Sequence, residues 1–75
     1  MINIKNQIVI KAFGKRVREL RISKGLSQEK LANTAEIPLS QIGRIERGET
    51  NPTLSSIHVL SAALGVNIID LFPLK

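Results

Sequence analysis

The chain contains no cysteine, which removes disulfides, thiolate metal sites and thiol nucleophiles together and fits a reducing cytoplasm. It has one histidine, His58, so no cluster with metal-ligand spacing and no pairing of nucleophile with base can be assembled from it. No apolar run approaches the roughly 20 residues that span a bilayer, and Lys11 interrupts the short stretch Ile8, Val9, Ile10 before it could serve as a signal-peptide core. Repeats, low-complexity stretches and any alternating pattern long enough for a sheet are also missing. A soluble, cytoplasmic, all-α chain is therefore expected, with no enzyme activity, no metal, no cofactor, no membrane partner and no small-molecule pocket.

At 75 residues the length suits one domain with one main surface site, and stability has to come from packing alone. The expected layout is a single domain over 1–75, with an N-terminal tail over 1–6 and a helical core over 7–72. The net charge of +5 is unevenly placed: seven basic residues precede Gly25 against Glu19 alone, whereas the remainder carries four basic and five acidic groups. A cationic first third favours a polyanionic partner without distinguishing nucleic acid from an anionic membrane or an acidic protein.

Five helical segments can be read along the chain. Phe13, Val17 and Leu20 have the spacing of one helix face, with Asn6 as its cap and Gly25 as its stop after Lys24. Ser27 caps a second, short helix to Ala35, with Glu29 in its first turn and Leu31, Ala32 and Ala35 as its apolar face. Pro38 marks the start of a third helix, about Leu39 to Arg47, with Ile42 and Ile45 facing in and Gly48 closing it. Thr53 caps a fourth helix whose expected inner face is Leu54, Ile57, Leu60 and Leu64, ending at Gly65. Asn67 and Asp70 have capping-box spacing for a fifth, which Pro73 ends.

The functional signal lies on the second and third segments. Only three or four residues separate them, which predicts a steep crossing and helix-turn-helix geometry. On the third, Leu39, Ser40, Gly43, Arg44 and Arg47 share a face opposite Ile42 and Ile45. A protruding polar helix of this kind fits the DNA major groove, about 12 Å wide. Arg44 can donate two hydrogen bonds to a guanine edge, Ser40 can bond a base or a phosphate, and Leu39 can pack against a thymine methyl. Gly43 would let backbone approach closely. The plain alternative for Arg44 and Arg47 is a solvated helix face.

From about Phe13 to Phe72 the chain resembles the lambda repressor and Cro-like helix-turn-helix family, also called the Xre family. The resemblance rests on RELRISKGLSQEKLA, IGRIERGETNP and LSAALGV in that order and spacing. It implies a compact five-helix lambda-repressor-like domain with the helix-turn-helix at helices 2 and 3. It also implies base contacts from Leu39, Ser40 and Arg44, with Gln41 on the flank, and phosphate contacts from Gln28, Arg47, Thr50 and Asn51. Arg21 and Glu46 match a family ion pair that ties the first helix to the third. Glu36 stands where many relatives have glycine, and Pro38 where they have a capping Ser, Thr or Asp. The stand-alone format is similar to that of phage Cro-like repressors and restriction-modification controller proteins.

The implied function is a transcription regulator that binds double-stranded DNA at a symmetric operator. Its partner would be a second copy, because Ile2, Ile4, Ile68, Ile69, Leu71, Phe72 and Leu74 exceed what the ends of a small core can hide. Ile68, Ile69, Leu71, Phe72 and Leu74 are the expected dimer surface. The rival reading is an antitoxin-type or adaptor module using the same fold to hold a protein, although nothing resembles a toxin-binding tail. Membrane binding by the first helix is opposed by the need for Phe13, Val17 and Leu20 in the core.

Overall fold

Asn6 accepts the Val9 N–H on its side-chain oxygen at 3.2 Å, and this cap starts the first helix of the computed structural model, which describes residues 6–72. Helix α1 spans Gln7–Ser23 and buries Ile10, Phe13, Gly14 and Val17, with Leu20 half-buried against the core. It unwinds through Lys24 into Gly25, whose φ of 72° is the left-handed geometry that closes a helix end. Helix α2, Gln28–Ala35, begins at Ser27, whose hydroxyl accepts the Lys30 N–H at 3.0 Å. Leu31, Ala32 and Ala35 form its buried face.

Residues 36–38 then turn the chain into α3, Leu39–Glu46. Glu36 caps α2 in the left-handed region, at φ 57° and ψ 41°, a conformation that costs a residue with a Cβ roughly 1–2 kcal/mol. Pro38 takes the N-cap position of α3 instead of a place in its first turn, and it offers no side-chain acceptor. The helix is held chiefly by its apolar side, since Ile42 and Ile45 are fully buried. Each such side chain contributes about 1.5–3 kcal/mol on leaving water.

Helix α4, Leu54–Leu64, starts at Thr53, whose hydroxyl accepts the Ser56 N–H at 3.0 Å. Its inward side is Leu60, Ser61 and Leu64, with Ile57 half-buried. Ser61 is tolerated in the core because its hydroxyl donates to the His58 carbonyl at 2.7 Å. Leu54, expected on the inner face, is 76% exposed. A side chain in the first turn leans toward the helix N-terminus, and at this end of α4 that direction leads off the core.

The fifth segment is not an α-helix. After Asn67 the chain makes a single 3₁₀ turn, Ile68–Leu71, in which the Asp70 carboxylate accepts the Asn67 N–H at 3.1 Å. Pro73 follows, and Phe72 stands at φ −111° and ψ 126°, the extended region to which a following proline restricts a residue. Leu71 is fully buried and Phe72 lies against Phe13, ring centres 5.5 Å apart. The Arg16 Nε donates to the Asp70 carbonyl at 2.8 Å, pinning the turn to α1.

Among the described residues the result is an all-helical arrangement of four α-helices and one 3₁₀ turn. Helix α3 packs on α1 and α2, α4 packs on α2, and the turn closes the base against α4 and α1. One core joins them, centred on Phe13, Val17, Leu31, Ile42, Leu60 and Leu71. The α1–α3 contact is set by Gly14: a Cβ there would fall into the Ile45 carbonyl oxygen and within 2.9 Å of that of Glu46. Among the described residues no helix is long and apolar enough to cross a membrane.

Candidate nucleic-acid interface

The candidate site is the outer side of α3 and the loop that follows it. With Ile42 and Ile45 turned into the core, the helical period brings Leu39, Ser40 and Arg44 to the exposed side, with Gln41 half-buried on the flank. The four residues expected to read bases thus occupy one end and one face of a single short rod. Arg47 follows at the C-cap and is exposed; in the α3–α4 loop Thr50 is half-buried and Asn51 exposed.

The rod is locked from behind at its last residue. Glu46 sits at the end of α3 with its side chain 2% exposed, facing an Arg21 side chain that is 11% exposed. Arg21 Nε donates to Glu46 Oε2 at 2.7 Å and Nη2 to Oε1 at 3.1 Å, while Nη1 donates to the Leu26 carbonyl at 2.8 Å. Gln28 Nε2 donates to Glu46 Oε1 at 3.0 Å. The network joins the end of α1, the α1–α2 turn, the first residue of α2 and the last of α3. A guanidinium matches a carboxylate at two points, so it fixes direction as well as distance.

Gln28 therefore has a structural bond in addition to its expected place at a phosphate. A primary amide carries two N–H donors and an acceptor, so the bond to Glu46 uses one donor and the half-exposed remainder is available. Neither the Gln28–Glu46 link nor the Arg16–Asp70 link was visible in the sequence, because no local pattern connects residues 18 and 54 positions apart.

Two features of the outer side differ from expectation. Gly43, read as an opening for close backbone approach, is buried. The Arg47 guanidinium covers it: a Cβ on Gly43 would stand 2.9 Å from Nη1. Arg47 is in turn held by Glu49, Nε to Oε2 at 2.8 Å and Nη2 to Oε1 at 3.2 Å. The hydrogen bond from Arg47 holds the Glu49 carboxyl below the usual carboxylate range, and the charges of Arg47, Arg44 and Lys11 act the same way against the cost of desolvation. The same bond raises the pKa of Arg47. No local pattern in the sequence brings Glu49 or Lys11 to this site.

The expected dimer surface is also redrawn. Leu71 belongs to the core and Phe72 is half-buried against Phe13, so neither is a free apolar group. Ile68 and Ile69 are 40% and 57% exposed. With Leu54, Ser55, His58 and Val59, Ile68 lines an open groove of about 530 Å³. Leu74, Ile2 and Ile4 lie outside the described residues. Among the described residues no group of three or more His, Asp or Glu side chains could hold a metal.

A family model for the helix-turn-helix matches residues 17–71, from the middle of α1 to the end of the 3₁₀ turn. The chain belongs to the helix-turn-helix family. Its relatives are control proteins and transcriptional regulators, not enzymes. The control protein C.BamHI of Bacillus amyloliquefaciens is 47% identical to this helix-turn-helix chain over 60 residues, 79% of the chain and 74% of C.BamHI. The control protein C.MunI of a Mycoplasma species is 35% identical over 68 residues, 89% of this chain and 90% of its own. Among solved structures, the restriction-modification controller protein C.AhdI from Aeromonas hydrophila superposes with a TM-score of 0.83 at 44% identity, covering 84% of this chain and 96% of that one.

Proposed function

We propose that the chain regulates transcription by binding a two-fold symmetric DNA operator as a homodimer, with α2 and α3 as its helix-turn-helix and α3 in the major groove. The observation that carries this reading is the presentation of α3. Its Ser40 and Arg44 side is exposed, its Ile42 and Ile45 side is buried, and its last residue is held by Arg21 and Gln28. A rod fixed in this way can present Arg44 to a guanine edge and Ser40 to a base or phosphate. Leu39 and Gln41 would border that contact. Gln28, Arg47, Thr50 and Asn51 would fix register on the backbone.

The groove bounded by Leu54, Val59 and Ile68, with Ile69 beside it, is assigned to a second copy of the chain. Two-fold pairing would set the half-sites about 34 Å apart, or a multiple of that. The likeness to control proteins supports a regulator that answers to its own concentration, since dimerisation followed by paired-site binding makes occupancy steep in protein level. An adaptor or antitoxin role gains no support from any described feature.

Selection from a random duplex library tests the proposal. The expected product is an inverted repeat bound by two copies, at least ~10³-fold more tightly than random duplex. Enrichment of no sequence would overturn it.

A further inference from the structure

Arg47 makes a two-donor contact with both oxygens of Glu49, two residues along the chain, the geometry in which a guanidinium also receives a phosphate. It does so on the face assigned to DNA, with its Nη1 over Gly43. Lys11 of α1 flanks the same spot. A Cβ on Gly48, the neighbour of Glu49, would stand 2.9 Å from the Lys11 Cα, and the charges of both Lys11 and Arg44 act on Glu49. Arg47 is thus bonded to this carboxylate, while Lys11 and Arg44 only favour its charged form.

We propose that Arg47 is a seat for one DNA backbone phosphate that Glu49 fills in the DNA-free protein, so that Glu49 holds down affinity for duplex of any sequence. This inference rests on the DNA-binding reading above. To receive a phosphate, Arg47 must exchange one oxyanion for another. The number of hydrogen bonds is conserved, but Glu49 is left as an anion beside an anion. Seating a phosphate releases counterions from the duplex, whereas the freed Glu49 takes a cation back, which cancels about one contact's worth of salt dependence. Glu49 and Arg47 are both about half exposed, so either can be replaced without opening the core.

The test measures binding to a random-sequence duplex of about two helical turns, from about 50 to 200 mM salt. It compares the intact chain, Glu49→Gln, Arg47→Ala and the double variant. Glu49→Gln is expected to bind between about three- and tenfold more tightly at about 0.1 M salt, with a log–log salt slope steeper by up to about 0.9. In the Arg47→Ala background the gain should fall below about twofold, because only the change in overall charge remains. Unchanged affinity and slope in Glu49→Gln would overturn the inference, as would a gain of equal size with Arg47 absent. Binding by the intact chain that is absent, or indifferent to salt, would instead overturn the DNA-binding reading, and this inference with it.

Discussion

Arg21 and Glu46 lie 25 residues apart and meet as a two-point ion pair, 2.7 and 3.1 Å, at the junction of α1 and α3. Their burial makes the pair different from an exposed salt bridge. Two charges taken out of water are costly to bring together, but once together neither can be removed without stranding the other. Among the described residues no buried side-chain nitrogen or oxygen lacks a partner, and at this junction Leu26 and Gln28 add to the contacts of the pair. The pair therefore sets where α3 points, and through it where Arg44 and Ser40 are presented.

Replacing Glu46 with alanine leaves the Arg21 charge buried and unpaired. The expected loss is about 3 kcal/mol, a fall in Tm on the order of 15 °C for a domain of this size. Urea unfolding at neutral pH checks it, and a loss under about 1 kcal/mol would show that the pair behaves as an exposed one.

Gly14→Ala inserts a methyl into the Ile45 and Glu46 carbonyls, which are backbone and cannot rotate aside. The expected cost is about 1–3 kcal/mol, with α1 and α3 displaced. Thermal unfolding should show the loss, while the proposed DNA contacts should weaken together because the whole rod moves. A variant as stable as the parent would mean that the two helices do not approach this closely.

Glu36→Gly removes a Cβ from a left-handed residue. Relief of roughly 1–2 kcal/mol of strain is partly offset by the greater freedom of glycine in the unfolded chain. A gain of about 0.5–1 kcal/mol remains, or a Tm higher by several degrees. A lower Tm would place the strain elsewhere.

Arg47 holds the Glu49 carboxyl below the usual carboxylate range, chiefly through their hydrogen bond. A carboxyl lowered in the folded state stabilises the fold above its unfolded value, and that contribution is lost as pH falls through the lower, folded value. Side-chain carbon NMR should therefore give Glu49 a midpoint below the free value, rising in Arg47→Ala. An equal midpoint in the two proteins would show that the pair does not form in solution.

Much of this was legible in the residues, for identifiable reasons. Asn6, Ser27 and Thr53 announce helix starts because a cap acts within three residues of itself. Gly25 and Gly65 announce ends because their left-handed φ is local too. What depends on depth was misread. Periodicity put Leu54 on an inner face, although the first turn of α4 overhangs the core, and counted Leu71 as surplus, although the 3₁₀ turn aims it inward. Proline at position 73 indicated where the last element stops but not that too few residues remained for an α-helix. On the candidate site, α3's face followed from the placing of Ile42 and Ile45. The carboxylate under Arg47 did not, because Glu49 belongs to a loop whose path no pattern specifies.

In the proposed complex α3 reads bases through Arg44 and meets the backbone through its neighbours. The most direct measurement compares Arg44→Ala and Gln28→Ala on the selected operator and on random duplex at one salt concentration. Arg44→Ala should lose about 1–3 kcal/mol on the operator, with preference relaxed at one position, and little on random duplex. Gln28→Ala should weaken both alike. Equal losses on both duplexes for Arg44→Ala would contradict the account.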